Sequence, residues 1–427
     1  MLIHSASQLV TLAGGVRRGA RMNDLNILAD GAVLIRDGKI EAVGLSSELQ
    51  AAYPEEEKLD ARGKAIVPGF VDPHTHLIWA GDRAAEFEMR LQGKTYMEIM
   101  AAGGGIASTV RATREAGVEE LVKQALPRAR RMFSYGTTTA EAKSGYGLEI
   151  RAELDQLQTI LKLNEVCPLE LVPTFLGAHD IAPEYKNDPD KYTNILCTEM
   201  LPAVLEWWKK YASNLPLPFV DAFCEKGAFS LEQTWKIFLK AKALGFPLKI
   251  HVDEFEALGG TRLAVELKAA SADHLVKTPP EELRLLAKSN TVAVSLPCTP
   301  FGLADQHYTA ARAIIDSGGI LALATDLNPG TAWCENMQFV MALACRYMKI
   351  TPAEALTAAT INAAAAIQRA DRLGSIEPGK QADLLILSVD DYRQLMYRFG
   401  SNLVDTVIKK EKIYPITEHI EVECGEH

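Results

Sequence analysis

Val67-Pro-Gly-Phe-Val-Asp-Pro-His74-Thr-His76 decides the fold. An apolar run of strand length, Ala65–Val71, passes directly into Asp72-Pro-His-Thr-His. A doubly wound open sheet usually carries a glycine-rich phosphate turn after its first strand, and none stands here. Downstream, further apolar runs follow at Thr137–Ala142, Leu169–Leu176, Phe219–Phe223, Pro247–Val252, Ser271–Leu275, Thr291–Leu296 and Ile320–Ala324. Amphipathic helical patterns separate most of them: Glu119–Phe133, Ile150–Leu163, Tyr192–Tyr211, Leu231–Leu244, Glu281–Lys288 and Thr309–Ser317. A β/α alternation repeated about eight times in roughly 250–300 residues predicts a closed parallel (β/α)8 barrel of the TIM type. Its last helix starts at Thr351-Pro-Ala-Glu354, a capping threonine with proline at the first helical position, and runs on through alanines 353–366.

The two ends of the chain differ from this middle. Ala32-Val-Leu-Ile-Arg36 and Ile40-Glu-Ala-Val-Gly44 flank Asp37-Gly38, a hairpin signal. Gly374-Ser-Ile-Glu-Pro-Gly-Lys-Gln-Ala-Asp-Leu-Leu-Ile-Leu387 and Leu403-Val-Asp-Thr-Val-Ile408 have the same turn-and-strand character. The expected organisation is a barrel over residues 67–374 and a small β-sandwich assembled from residues 1–66 and 375–427.

Composition narrows the function. The 427 residues are 48% hydrophobic and 23% charged, with 45 basic against 55 acidic side chains and a net charge of −10. Such a chain has ample core and no electrostatic reason to seek nucleic acid or an anionic membrane. No apolar stretch reaches the roughly 20 residues that span a bilayer. The start, Met1-Leu-Ile-His-Ser-Ala-Ser7, lacks the basic and apolar regions of a secretory signal. The seven cysteines (167, 197, 224, 298, 334, 345 and 424) are scattered and never form C-x-x-C. Reduced thiols in a cytoplasmic protein are expected from the cysteines; a small-molecule substrate and a homodimeric assembly are further expectations.

In a barrel, side chains at the C-terminal strand ends converge on one open face. The first run ends in His74-Thr-His76, the third in His179, the fifth in His251 with Asp253 and Glu254, the sixth in Asp273-His274, and the eighth in Asp326. Five of the nine histidines thus sit at strand ends. His4, His307, His419 and His427 read as solvated surface. The i, i+2 spacing of His74 and His76 puts both rings on one face of a strand. That pair is a weak signal alone; with His251 and Asp326 it becomes a ligand set for one divalent metal with a position left for water. Such a metal lowers the pKa of its water towards roughly 7. Glu254, three residues after His251, is placed to carry a proton, and His274 to orient the water or steady an oxyanion. Each has a plainer alternative: Glu254 as a surface carboxylate, His274 as a histidine bonded to backbone.

These residues, with the Gly379-Lys-Gln-Ala-Asp-Leu384 return strand, resemble the amidohydrolase superfamily over nearly the whole chain. Ala80-Gly-Asp-Arg83, Gly103-Gly-Gly-Ile106, Lys143-Ser-Gly-Tyr-Gly-Leu148, Phe175-Leu-Gly-Ala-His179 and Asp326-Leu-Asn-Pro-Gly-Thr331 resemble one branch of it. That branch serves histidine degradation, opening the ring of 4-imidazolone-5-propanoate to N-formimidoyl-L-glutamate by hydrolysis of a cyclic amide C–N bond. The resemblance implies zinc or iron on His74, His76, His251 and Asp326, catalytic parts for Glu254, His274 and Asp326, and a substrate site lined by Arg83, Tyr146, His179, Glu254, Asn328, Gly330 and Thr331. Arg83 and His179 are also suitable donors for a propanoate tail. The plainer alternatives are a surface salt bridge for Arg83 and a packed loop aromatic for Tyr146. Many superfamily members hold a second metal on a carboxylated lysine of the fourth strand. Here that run, Phe219-Val-Asp-Ala-Phe-Cys-Glu225, has no lysine at its end, so a single metal is expected, with Glu225 the candidate for supporting a second. Two rival readings are a deaminase of a nucleobase-like ring, which the same ligands would serve, and a non-catalytic barrel scaffold, which would have lost ligands.

Overall fold

In a computed structural model of the chain, residues 1–94, 98 and 103–416 are described. Eight parallel strands follow one another in chain order around a single sheet: β1 (Phe70–Asp72), β2 (Thr137–Lys143), β3 (Glu170–Ala178), β4 (Phe219–Cys224), β5 (Lys249–Val252), β6 (Ser271–His274), β7 (Val292–Ser295) and β8 (Leu321–Leu323). The circle closes just beyond the strand ends, where Thr75 bridges Leu327 in parallel and the Asp326 N–H donates to the His74 carbonyl at 3.1 Å. Closure therefore joins the two segments that carry the first and last candidate ligands. The side chains of β2, β5, β6 and β7 are buried along their whole length, as expected for strands covered on both faces.

The first apolar run is divided in the structure. Ala65–Pro68 pairs with Asp383–Leu387 and Gln8–Val10 in a six-stranded sheet, and only Phe70–Asp72 belongs to the barrel. Gly69 is the pivot. A Cβ there would lie 2.4 Å from the Thr138 hydroxyl, so the crossing from sheet to barrel requires glycine.

The six-stranded sheet combines both chain ends, whereas a four-stranded sheet comes from the N-terminal part alone. The two share a core in which Ile3, Val33 and Ile35 meet Ile66, Leu384 and Ile408. Asp37 and Gly38 both have positive φ, 51° and 73°, between strands paired from Arg36 to Lys39, so the hairpin forms as the sequence signals.

Helices depart from expectation where the backbone is interrupted. Ile106–Ser134 begins well before Glu119 and kinks at Gly117, whose φ is 65°. The stretch 192–211 is broken by a wide turn at Leu196–Met200 between Pro189–Ile195 and Leu201–Tyr211. Thr351 and Glu354 form a reciprocal cap, at 3.1 Å and 2.8 Å, as anticipated. The alanine-rich helix it starts nevertheless stops at Ala358 and resumes at Ile361, because Thr360 leaves the helical region.

The end of the barrel away from the strand C-termini is built for cohesion. Glu170, at the start of β3, pairs with Arg372, and Lys409 lies 3.5 Å from Glu170 and 2.7 Å from Asp383. Burial opposes the charge on Glu170, but its bond to Arg372 and the nearby Lys409 outweigh it and hold the carboxyl down at about 2. Barrel and sandwich are thereby bound together at the face opposite the histidines.

Candidate active site and metal centre

His74, His76, His251 and His274 are at most 3% exposed, and their rings meet over the strand ends. His74 lies 4.4 Å from His251, and His274 lies 5.4 Å and 5.3 Å from those two, centroid to centroid. Asp326 stands among them with a φ of 54°, and His274 turns off β6 with a φ of 79°. Left-handed backbone at non-glycine residues is uncommon, and here it aims both side chains into the barrel mouth.

The polar atoms meet in a way that leaves acceptors facing acceptors. His74 Nδ1 is 2.7 Å from an Asp273 carboxylate oxygen, which can only accept, so His74 carries its proton there. Its Nε2 then presents a bare lone pair that is buried and without a hydrogen-bond partner, 3.4 Å from Asp326 Oδ1. His251 Nδ1 lies 3.0 Å from Asp221 without a hydrogen bond to it, while its Nε2 meets His76 Nε2 at 3.3 Å. His76 Nε2 is 3.6 Å from the same Asp326 oxygen. Burial, reinforced by Lys143 and the crowding of neighbouring imidazoles, depresses the His74 and His76 pKa values well below the ordinary imidazole range, favouring the neutral form. Lone pairs gathered this closely repel unless a cation lies among them. The donor set therefore fits a divalent metal, and two overlapping groups of potential ligands, His74–His76–Asp326 and His74–His251–His274, share this centre. Asp326 also accepts a hydrogen bond from Thr299 through its other oxygen. Burial is the larger influence on it and pushes its carboxyl up to about 6.

Glu254 is nearly buried, and its carboxylate lies 3.7 Å from His274 Nδ1. Burial first, then the nearby Asp326 and Glu225, push its pKa well above the usual carboxylate range, a property suited to proton transfer. Glu225 does not face the convergent nitrogens. Its two oxygens accept the backbone N–H groups of Lys226, Phe255 and Glu256 at 2.9–3.0 Å, so it shapes the loop that presents Glu254.

The remaining predicted residues ring the mouth. Tyr146 lies 5.9 Å from the His76 ring and 5.2 Å from His179, and is almost wholly buried. His179 stacks on His76 at 4.7 Å. Its Nδ1 is 2.9 Å from the Gly145 carbonyl, and burial pushes its pKa down to about 3. His179 is thus neutral and has spent its proton on the loop. It offers Nε2 as an acceptor, not the charge or donor anticipated for an anionic tail. Arg83 pairs with Glu86 through Nε and Nη2 at 2.9 Å and 2.8 Å. Glu86 in turn accepts from the Gly105 N–H at 2.9 Å, tying Arg83 to the Gly103–Ile106 motif. Asn328 is consumed locally: its Oδ1 accepts from the Gly330 and Thr331 N–H groups at 2.8 Å, and its amide donates to the Asp326 carbonyl at 2.7 Å. Gly330 packs against Arg83, and a Cβ there would come within 2.4 Å of the guanidinium.

Several contributors escaped the sequence. Arg128 lies 3.4 Å above the Trp79 ring and donates to the Leu77 and Trp79 carbonyls at 3.0 Å and 3.1 Å. It clamps the segment between His76 and Arg83. Arg90 reaches the Gly330 carbonyl at 2.9 Å, placing a second guanidinium beside Arg83. Of the other histidines, His307 is exposed beside Asp305, His4 bonds Ser5, and positions 419 and 427 lie outside the described residues, as does Cys424. The six described cysteines are free, and no described helix is long and apolar enough to cross a membrane.

With its closed parallel barrel, its two-sheet companion and imidazoles at the strand ends, the chain belongs to the amidohydrolase family, whose profile matches residues 65–414. A second profile, described as an imidazolonepropionase-like composite domain of bacteria, matches residues 31–55. The particular members it resembles are imidazolonepropionases. The chain is 51% identical to the imidazolonepropionase of Herpetosiphon aurantiacus, covering 96% of both chains. It is 50% identical to that of Chloroflexus aggregans, covering 98% of this chain and 99% of that one. Among solved structures, a zinc-bound adenosine deaminase from Xanthomonas campestris superposes with a TM-score of 0.69 at 19% identity, covering 96% of this chain and 92% of that one, a likeness of fold.

Proposed function

We propose that His74, His76, His251 and Asp326 hold one divalent cation, zinc or iron, and that the mouth above them takes 4-imidazolone-5-propanoate. The enzyme is a hydrolase of histidine degradation that opens this ring to N-formimidoyl-L-glutamate. The observation that carries the metal assignment is the convergence of buried imidazole nitrogens: His74 and His76 Nε2 meet at Asp326 Oδ1, and His251 Nε2 meets His76 Nε2. Glu225, engaged by its own loop, supports one metal over two. When bound, the cation supplies Lewis-acid activation of water at neutral pH.

Glu254 accepts the proton of the attacking water and delivers it to the ring nitrogen as the amide C–N bond breaks. The water oxygen ends in the new carboxylate, and both ring nitrogens stay in the product. His274, beside Glu254, orients the water and steadies charge growing on the carbonyl oxygen. Tyr146 and the Nε2 acceptor of His179 wall the ring, and the Asn328–Thr331 turn shapes the floor beside Arg83. The free thiols of the six described cysteines support a cytoplasmic setting.

Arg83 holds the propanoate. Glu86 occupies Nε and Nη2 of the guanidinium, leaving Nη1, which has no ion-pair partner among the described residues, to meet the substrate carboxylate. Arg83→Met is expected to weaken kcat/KM by about 2–3 kcal/mol, the scale of a lost charge-assisted contact. For an analogue with a neutral amide tail the loss should largely vanish. Measuring both substrates on both enzymes closes the cycle, and equal penalties would make Arg83 a structural partner of Glu86 and count against this substrate.

A further inference from the structure

Beneath the convergent nitrogens lie five charged side chains that take no direct part in the hydrolysis. They are Glu141 and Lys143 on β2, Asp221 on β4, Lys249 on β5 and Asp273 on β6, and each is 0% exposed. Three carboxylates against two ammoniums leave one buried negative charge directly under the proposed cation. Burying so many charges is costly, and an apolar filling of the same volume would serve stability as well. The contacts show where the cluster meets the site. Lys143 Nζ lies 2.7 Å from Asp221 Oδ2, the oxygen that stands 3.0 Å from His251 Nδ1. It lies 4.0 Å from Asp273 Oδ2, the oxygen that accepts from His74 Nδ1 at 2.7 Å. It is also 2.8 Å from Glu141. Lys249 reaches Glu141 at 2.9 Å, Asp273 at 3.5 Å and the Pro73 carbonyl at 2.5 Å. Among the described residues, Lys143 is the cation within 4.0 Å of both carboxylates that stand beside the His74 and His251 Nδ1 atoms.

We infer that Lys143 is a positioning residue of the metal centre: its ammonium fixes the Asp221 and Asp273 carboxylates and, through them, the rotamer and tautomer of His251 and His74. This role presupposes metal ligation by His74, His76, His251 and Asp326. An imidazole ligand donates its second N–H to an outer partner that sets its orientation, and loss of such support typically costs 10–100-fold in metal affinity. Lys143 acts one step further out and serves two ligands at once, from β5 and from the segment after β1.

The test is titration of metal-free protein with cobalt(II), read by affinity and by the visible absorption of the bound ion, together with thermal stability. Lys143→Met is expected to bind cobalt about 10–100-fold more weakly and with an altered spectrum. Glu141→Gln disturbs the same buried cluster without touching a ligand's carboxylate. It is expected to lose stability while keeping cobalt affinity and spectrum near wild type. Lys143→Gln keeps a donor and most of the volume, and carries the comparison should Lys143→Met not fold. Wild-type cobalt affinity and spectrum in the Lys143 variants, or equal losses in Glu141→Gln, would overturn the role and leave Lys143 a structural charge. Failure of the unaltered protein to bind cobalt would instead overturn the ligand assignment on which the role depends.

Discussion

His76→Ala should leave a folded barrel that no longer retains metal. His76 Nε2 is within 3.3 Å of His251 Nε2 and 3.6 Å of Asp326 Oδ1, so its removal opens one side of the ligand set. Loss of an outer partner already costs about 10–100-fold in affinity, and loss of a ligand itself is expected to exceed that range. The fold should survive, because the imidazole lies at the strand ends, outside the apolar core, while the neighbouring Thr75–Leu327 bridge that closes the barrel is made by backbone. Elemental analysis after dialysis and circular dichroism measure the two halves of the expectation. Unchanged metal content would remove His76 from the set, and the His74–His251–His274 group would become the better description of the centre.

Glu254→Gln separates proton transfer from metal binding. The amide keeps the shape of the carboxylate and cannot accept a proton, so turnover should fall by roughly 10²–10⁴-fold. Metal content should stay at the wild-type level, because Glu254 meets His274 and not the convergent Nε2 atoms. The raised pKa, caused first by burial and then by Asp326 and Glu225, marks the group as one whose proton state its surroundings control. A variant that kept most of its turnover would transfer the proton-carrying role to His274.

How far these features could be read in the residues depends on the range of the interactions that make them. The barrel was legible because its period is local: most apolar runs are followed by a helical pattern, and five histidines mark strand ends. His74 and His76 were paired by the alternation expected of a strand; they lie just beyond β1, on either side of the Thr75–Leu327 bridge. The division of Ala65–Val71 between two sheets was not legible. Both halves are buried and apolar, and only the contact of Gly69 with Thr138 separates them.

The charged cluster was hidden for a different reason. A lysine in a strand reads as an exposed residue, and its partners lie on other strands, 78 positions away for Lys143 and Asp221. One signal was available. Glu141 and Lys143, and likewise Lys249 and His251, stand two apart within otherwise uncharged strands, so each pair faces the barrel interior together. Glu225 and His179 show the limit from the other side. Their residue types suit a metal or an anionic tail, yet backbone groups of nearby loops claim them first. Composition names what a side chain can do; the turn of the chain beside it decides which partner arrives.

The central claim, hydrolytic opening of a cyclic amide at this metal centre, is tested most directly by product stoichiometry. Purified enzyme is incubated with 4-imidazolone-5-propanoate, and N-formimidoyl-L-glutamate and ammonia are quantified in the same sample. The ring nitrogens both remain in the product, so the expected result is one formimidoylglutamate for each ring consumed and no ammonia, with activity lost on metal removal. Ammonia released in step with substrate loss, or no consumption of the ring by metal-loaded enzyme, would contradict it.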